Sequence, residues 1–147
     1  MNIQLLTRET LEEASDLFNE YRKFYGQSSD KEGAKAFLTA RFEQDQSILW
    51  LASIDGQAAG FVQMYPSFSS VAMKRMYILN DLFVMPEFRQ QGVAQALMET
   101  CYTYCERHQA RKIRLETAND NYSAQRLYKK MGMQVDQHVK HYMKTWE

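Results

Sequence analysis

The chain has 147 residues, with eighteen basic side chains balanced by eighteen acidic ones. That length suits one domain with a sizeable core, and the zero net charge gives no support for a general nucleic-acid binder, which would carry a basic surplus. No apolar run approaches the roughly 18 residues that a membrane helix needs, and the opening MNIQLLTRETLEE turns acidic at once, unlike a signal peptide. The expectation is therefore a cytoplasmic protein with neither nucleic acid nor membrane as partner.

In chain order, residues 3–6 read as a short first strand. Residues 10–25 carry Leu11, Ala14, Leu17, Phe18, Tyr21, Phe24 and Tyr25 at helical spacing. Thr10 with Glu13 three residues on has the pattern of a capping box. A second helix is expected over 31–44. The period then changes. Residues 47–54 and 57–65 read as two strands joined by Asp55-Gly56, a hairpin dipeptide. Residues 66–71 read as a serine-rich loop, and 74–85 as a long strand, apolar on both faces near its end. Helices are expected over 92–108 and 123–131, with a strand over 112–117 between them and a final strand pair over 133–137 and 139–144. The sum is an α/β protein: one α+β layer domain, residues 1–147, with a mixed sheet.

Cys101 and Cys105 are four residues apart on a helix face. Two thiols with no cluster of further ligands do not make a metal site, so they read as reduced core cysteines and no metal is expected. The nine methionines read as core filler.

The stretch PEFRQQGVAQAL, residues 86–97, places Arg89, Gln90, Gln91 and Gly92 where a helix must start, without a Ser, Thr, Asp or Asn cap. Uncapped N–H groups and the helix dipole make such a start a ready anion site. Gly92 has no side chain to block a bulky ligand, and Ala94 is nearly as small. The turn matches neither the Walker loop nor the dinucleotide fingerprint. On the turn alone, a phosphate seat and a plain tight turn both remain open.

Arg89-Gln90-Gln91-Gly92-Val93-Ala94 resembles the R/Q-x-x-G-x-G/A loop of the GNAT superfamily of acyl-CoA-dependent N-acetyltransferases. Downstream, Asn121-Tyr-Ser-Ala-Gln-Arg-Leu-Tyr128-Lys-Lys-Met-Gly132-Met133 is similar to that family's N-x-x-A-x-x-L-Y-x-x-x-G-F segment. The departures are Ala94 in place of a second glycine and Met133 in place of phenylalanine. The order of elements fits the same fold across nearly the whole chain. Within the family, YILNDLFVMPEFRQQGVA looks most like the spermidine/spermine acetyltransferase branch.

The resemblance implies acetyl-CoA as co-substrate and an amine of a small molecule or peptide as acceptor. It implies that the pyrophosphate lies on the N–H groups of Gln90, Gln91, Gly92, Val93 and Ala94, with Arg89 nearby. The pantetheine arm is then expected to pair with Leu82, Phe83 and Val84, Asn121 to bond the coenzyme, and Tyr128 to sit by the sulfur as general acid. A phenol with an ordinary pKa near 10 arrives protonated for that task. The Val84 N–H is the expected oxyanion donor. The base is open. Asn80 stands where the polyamine branch has glutamate and takes no proton. Asp81 is turned to the other face by strand alternation unless a bulge re-aims it; it reads either as base or as a structural hydrogen-bonder. His138, His141, a water relay or bulk solvent are the other routes. Glu20, Tyr25, Asp30 and Tyr65 are candidates for the acceptor side. Relatives often pair through their C-terminal strands, so a homodimer through the tail is an expectation alongside a monomer. A non-catalytic acyl-CoA sensor on the same fold is the alternative reading.

Overall fold

The computed structural model describes residues 1–147. The chain divides into two compact units, Met1–Glu116 and Thr117–Glu147.

In the first unit, β1 (Asn2–Leu5) is followed by a one-turn 3-10 segment and two helices, α1 (Leu11–Phe24) and α2 (Lys31–Glu43). Then come β2 (Ile48–Ile54), β3 (Gln57–Ser69), β4 (Lys74–Val84), α3 (Val93–Arg107) and β5 (Ile113–Arg114). The strands form one sheet in the order β1-β2-β3-β4-β5, antiparallel except for the β4·β5 pair. This is the expected mixed sheet.

Local chemistry sets most of these boundaries. Asp30 caps α2, its carboxylate accepting from the Gly33 N–H at 2.9 Å. Asp55 and Gly56 both adopt positive φ, 51° and 78°, which closes the β2–β3 hairpin with Ile54 opposite Gln57. The expected capping box lies one turn earlier: the Thr10 hydroxyl accepts from the Thr7 N–H at 2.9 Å around the 3-10 turn, and caps nothing at the start of α1.

Side-chain alternation splits the sheet into two buried faces. Leu49, Leu51 and Phe61 pack with Leu11, Ala14, Leu17 and Phe18 of α1 and with Ala34 and Leu38 of α2. On the other face Trp50 and Tyr77 meet Tyr104 of α3 edge-on, at 5.3 and 5.5 Å between ring centres. The helix α3 buries Val93, Leu97, Met98, Cys101 and Cys105 along one side. Both cysteines are free, and burial pushes their thiols up to about 12 and about 11. They behave as core residues.

The serine-rich stretch is strand rather than loop, since β3 runs on to Ser69. Pro66 is tolerated because, past Met64, β3 has β4 on one side only and β2 has already ended. Opposite Asp81 the ladder slips. Gln63 pairs with Asp81 but Met64 pairs with Leu79, so Asn80 is an extra, bulged residue on β4.

The second unit holds one helix, α4 (Tyr122–Lys130). The helix ends at Gly132, with φ of 84° and the Met133 N–H returning to the Tyr128 carbonyl at 2.9 Å. The strand pair expected over 133–144 does not form. Alternating apolar residues are there, but Val135, Val139, Tyr142 and Met143 are exposed, and the Asp136 carboxylate turns the chain by accepting from the His138 N–H at 3.0 Å. The strand expected over 112–117 is likewise reduced to the two residues that β4 pairs with, Ile113 and Arg114.

Candidate functional site

The bulge at Asn80 decides which way the end of β4 points. Tyr77 and Phe83 are six residues apart and would share a face in a regular strand. Instead Tyr77 packs on Tyr104 of α3, while Phe83 packs on Tyr21 and Phe24 of α1, at 5.9 and 6.0 Å. The one extra residue reverses the alternation. Asp81 is thereby turned to the α1 face, where it is only 4% exposed, and Asn80 stands exposed beside it.

The carboxylate of Asp81 is held by neutral donors. Gln63 Nε2 donates to one oxygen at 2.8 Å, Asn80 Nδ2 to the other at 3.1 Å, and the Tyr21 hydroxyl also bonds it. Burial pushes the carboxyl above its ordinary value, and these three hydrogen bonds pull partly the other way. Nearby, burial and then the Asp81 charge push the Tyr65 phenol up to about 12.

Beyond Ile78 the edge of β4 away from β3 has no strand beside it, because β5 pairs only with Tyr77 and Ile78. Leu82, Phe83 and Val84 therefore lie on a half-open stretch of a central strand. On the closed edge, β3 comes very near: a Cβ at Gly60 would meet the Phe83 carbonyl oxygen at 2.6 Å. That glycine is required by close approach of two backbones.

The strand leads into a 3-10 turn, Pro86–Phe88, and then into Arg89–Gly92. Gln90 and Gly92 both have positive φ, 62° and 80°. Gly92 is the N-cap of α3 and supplies no side-chain cap, while the Ala96 N–H closes the first turn on its carbonyl at 3.0 Å. The first-turn N–H groups, those of Val93, Ala94 and Gln95, have no partner within the helix. Arg89 reaches back to the strand end. Its Nε donates to the Val84 carbonyl at 2.9 Å and its guanidinium lies over the rings of Phe24 and Phe83.

In the second unit, Asn121 and Tyr128 both belong to α4. Asn121 is its N-cap, its Oδ1 accepting from the Ala124 N–H at 3.3 Å. Seven residues on, Tyr128 lies two turns along the same helix face, partly buried. His138 and His141 are exposed on the irregular tail.

A profile of the acetyltransferase (GNAT) family matches residues 13–133. The chain is 42% identical over 142 residues to an uncharacterized N-acetyltransferase, YhfO, of Bacillus subtilis (strain 168), covering 97% of this chain and 95% of that one. A solved probable acetyltransferase superimposes with a TM-score of 0.95 at 38% identity, covering 100% of this chain and 99% of that one. The chain belongs to the GNAT acetyltransferase family. Its fold also matches that of the aminoglycoside N-acetyltransferase AAC(6')-Iy, solved with CoA, at a TM-score of 0.81 and 22% identity over 97% and 93% of the two chains.

Within this GNAT chain, the first unit brings together Asn80, Asp81, Leu82, Phe83, Val84 and the Arg89–Ala94 turn on one strand–turn–helix. The second brings together Asn121 and Tyr128. Capping α4 takes one of the two lone pairs of Asn121 Oδ1, and its amide hydrogens make no hydrogen bond within the protein. Sequence reading missed Gln63 and Tyr21 as partners of Asp81. The signal was present in FVQMY, residues 61–65, where one amide interrupts an apolar strand.

Proposed function

We propose that this GNAT protein moves an acetyl group from acetyl-CoA to a primary amine of a small molecule or protein by direct attack. The observation that carries the reading is the uncapped, glycine-led start of α3 at the end of a half-open central strand. The CoA complex of an acetyltransferase with the same fold supports the choice of donor.

In this reading the N–H groups of Gln90 through Ala94 receive the pyrophosphate, with dipole and hydrogen bonds acting together. Leu82, Phe83 and Val84 offer backbone groups to the pantetheine arm, as an added strand would take them. The Val84 N–H stabilises the oxyanion that forms when a neutral amine attacks the thioester. Asn121 bonds the coenzyme through its amide hydrogens. Tyr128 gives its proton to the departing thiolate.

The exposed amide of Asn80 favours a second reading, a non-catalytic acyl-CoA-binding module, since it takes no proton where the resembled polyamine branch has a carboxylate.

Calorimetric titration with acetyl-CoA and CoA, followed by a thiol-release screen on polyamines, aminoglycosides, amino acids and lysine peptides, tests both. Binding with release on an amine is the expected result. Binding with no release on any amine favours the module, and no binding overturns both.

A further inference from the structure

Gln63 is fully buried in the middle of β3. Both its neighbours in sequence, Val62 and Met64, are apolar core residues. Its Nε2 reaches Asp81 Oδ2 at 2.8 Å and the Tyr65 hydroxyl at 3.3 Å, while its Oε1 has no partner at all. An unpaired buried acceptor is costly. An ionised carboxylate only accepts hydrogen bonds, so the amide must turn its NH2 toward Asp81 and strand its oxygen.

A contact that merely joined β3 to β4 would be served as well by two apolar side chains. The network instead spends a buried amide on a carboxylate beside the bulge. No lysine or arginine pairs with Asp81; the ion pairs all lie elsewhere, at Arg8–Glu43, Lys23–Glu20 and Lys35–Glu12. A cation there would hold the carboxyl low and make it a poor base, whereas neutral donors orient it and leave it able to take a proton. The groups facing Asp81 are Tyr21 from α1, Gln63 and Tyr65 from β3, and Asn80 from β4, with Arg41 of α2 acting on Tyr65.

We infer that Gln63 is a positioning residue: through Nε2 it fixes the Asp81 carboxylate as acceptor of the proton that the incoming ammonium must lose. This rests on the acetyltransferase reading proposed above. The ammonium gives one proton to a carboxylate oxygen, directly or across one water, leaving a neutral amine and a carboxylic acid. The acid returns the proton to solvent before the next turnover.

The test is the pH profile of kcat on one amine for wild type, Gln63→Leu, Gln63→Glu and Asp81→Asn, with CoA affinity measured for each. Removing the donor in Gln63→Leu is expected to move the acid limb to higher pH. Gln63→Glu, which keeps the size and carries the test if the leucine variant does not fold, is expected to move it further, as two carboxyls come to share a proton. Asp81→Asn is expected to lower kcat about 10²–10⁴-fold with CoA affinity retained. An acid limb that stays in place in folded, active Gln63 variants overturns this inference alone. A wild type that binds CoA and acetylates no amine overturns the proposed activity and this inference with it.

Discussion

The Nε of Arg89 donates to the carbonyl oxygen of Val84 at 2.9 Å. With the guanidinium 5.4 Å from the ring centre of Phe24 and 5.7 Å from that of Phe83, one side chain ties the turn to the strand end and to α1. In the proposed reading, its terminal nitrogens meet a phosphate oxygen of the coenzyme. Arg89→Ala is expected to weaken CoA binding by about 10–100-fold, the worth of one charge-assisted hydrogen bond. Arg89→Lys should recover only part, because an ammonium cannot hold Val84 and a phosphate as a fork does. Calorimetry of both variants checks this; wild-type affinity in Arg89→Ala would reduce the side chain to a brace for the turn.

Gly92 sits at φ of 80° with nothing within 4 Å of where a Cβ would be. In the free protein Gly92→Ala therefore meets backbone strain alone, about 1–2 kcal/mol. In the complex the new methyl occupies the expected phosphate seat. CoA affinity should fall at least about tenfold, the equivalent of about 1.4 kcal/mol. Gly92→Asn separates the two effects, since asparagine tolerates the left-handed region: stability should recover and affinity should not. Urea midpoints beside calorimetry give both numbers, and an asparagine variant that binds as wild type does would remove the seat.

Tyr128→Phe keeps the ring and removes only the hydroxyl. Turnover is expected to drop about 10²–10⁴-fold while CoA affinity holds. Thiol release and calorimetry on the same preparation make the comparison, and unchanged turnover would move the acid role elsewhere.

Asp81 makes a prediction about stability. Folding raises its pKa above the ordinary 3.8, chiefly through burial. Between the unfolded and native values the native state holds the extra proton, so this group's contribution to stability falls as pH rises through that window. Asp81→Asn does not titrate. The variant should gain on wild type in urea midpoint as pH rises above about 4, the unfolded value; a constant difference would show that burial does not burden the carboxyl.

The elements that sequence revealed are those written in local chemistry. The 3.6-residue period marked α1, α2 and α3, and Asp55-Gly56 marked the hairpin. The Arg89–Ala94 turn was legible as a helix start without a cap. What was hidden depends on partners distant in sequence. Pro66 and the serines around it look like a loop until the β2–β3 pairing is found to stop at Met64, leaving an edge that accepts them. The tail alternates like a strand, yet no neighbouring strand satisfies its backbone. The bulge leaves no local mark at Asn80, because the extra residue exists only relative to the ladder with β3. For that reason Asp81 could be placed on the wrong side by simple counting, and Gln63 passed as one polar residue among apolar ones.

The extra residue at Asn80 also makes the strand a molecule with two parities. Positions before it and after it obey opposite odd–even rules for which helix layer they serve. Deleting Asn80 would act on side-chain direction as a frameshift acts on codons, sending Phe83 toward α3 and its neighbours Leu82 and Val84 toward α1 at a stroke. Substitution can adjust this strand position by position, whereas a change in its length exchanges its two faces.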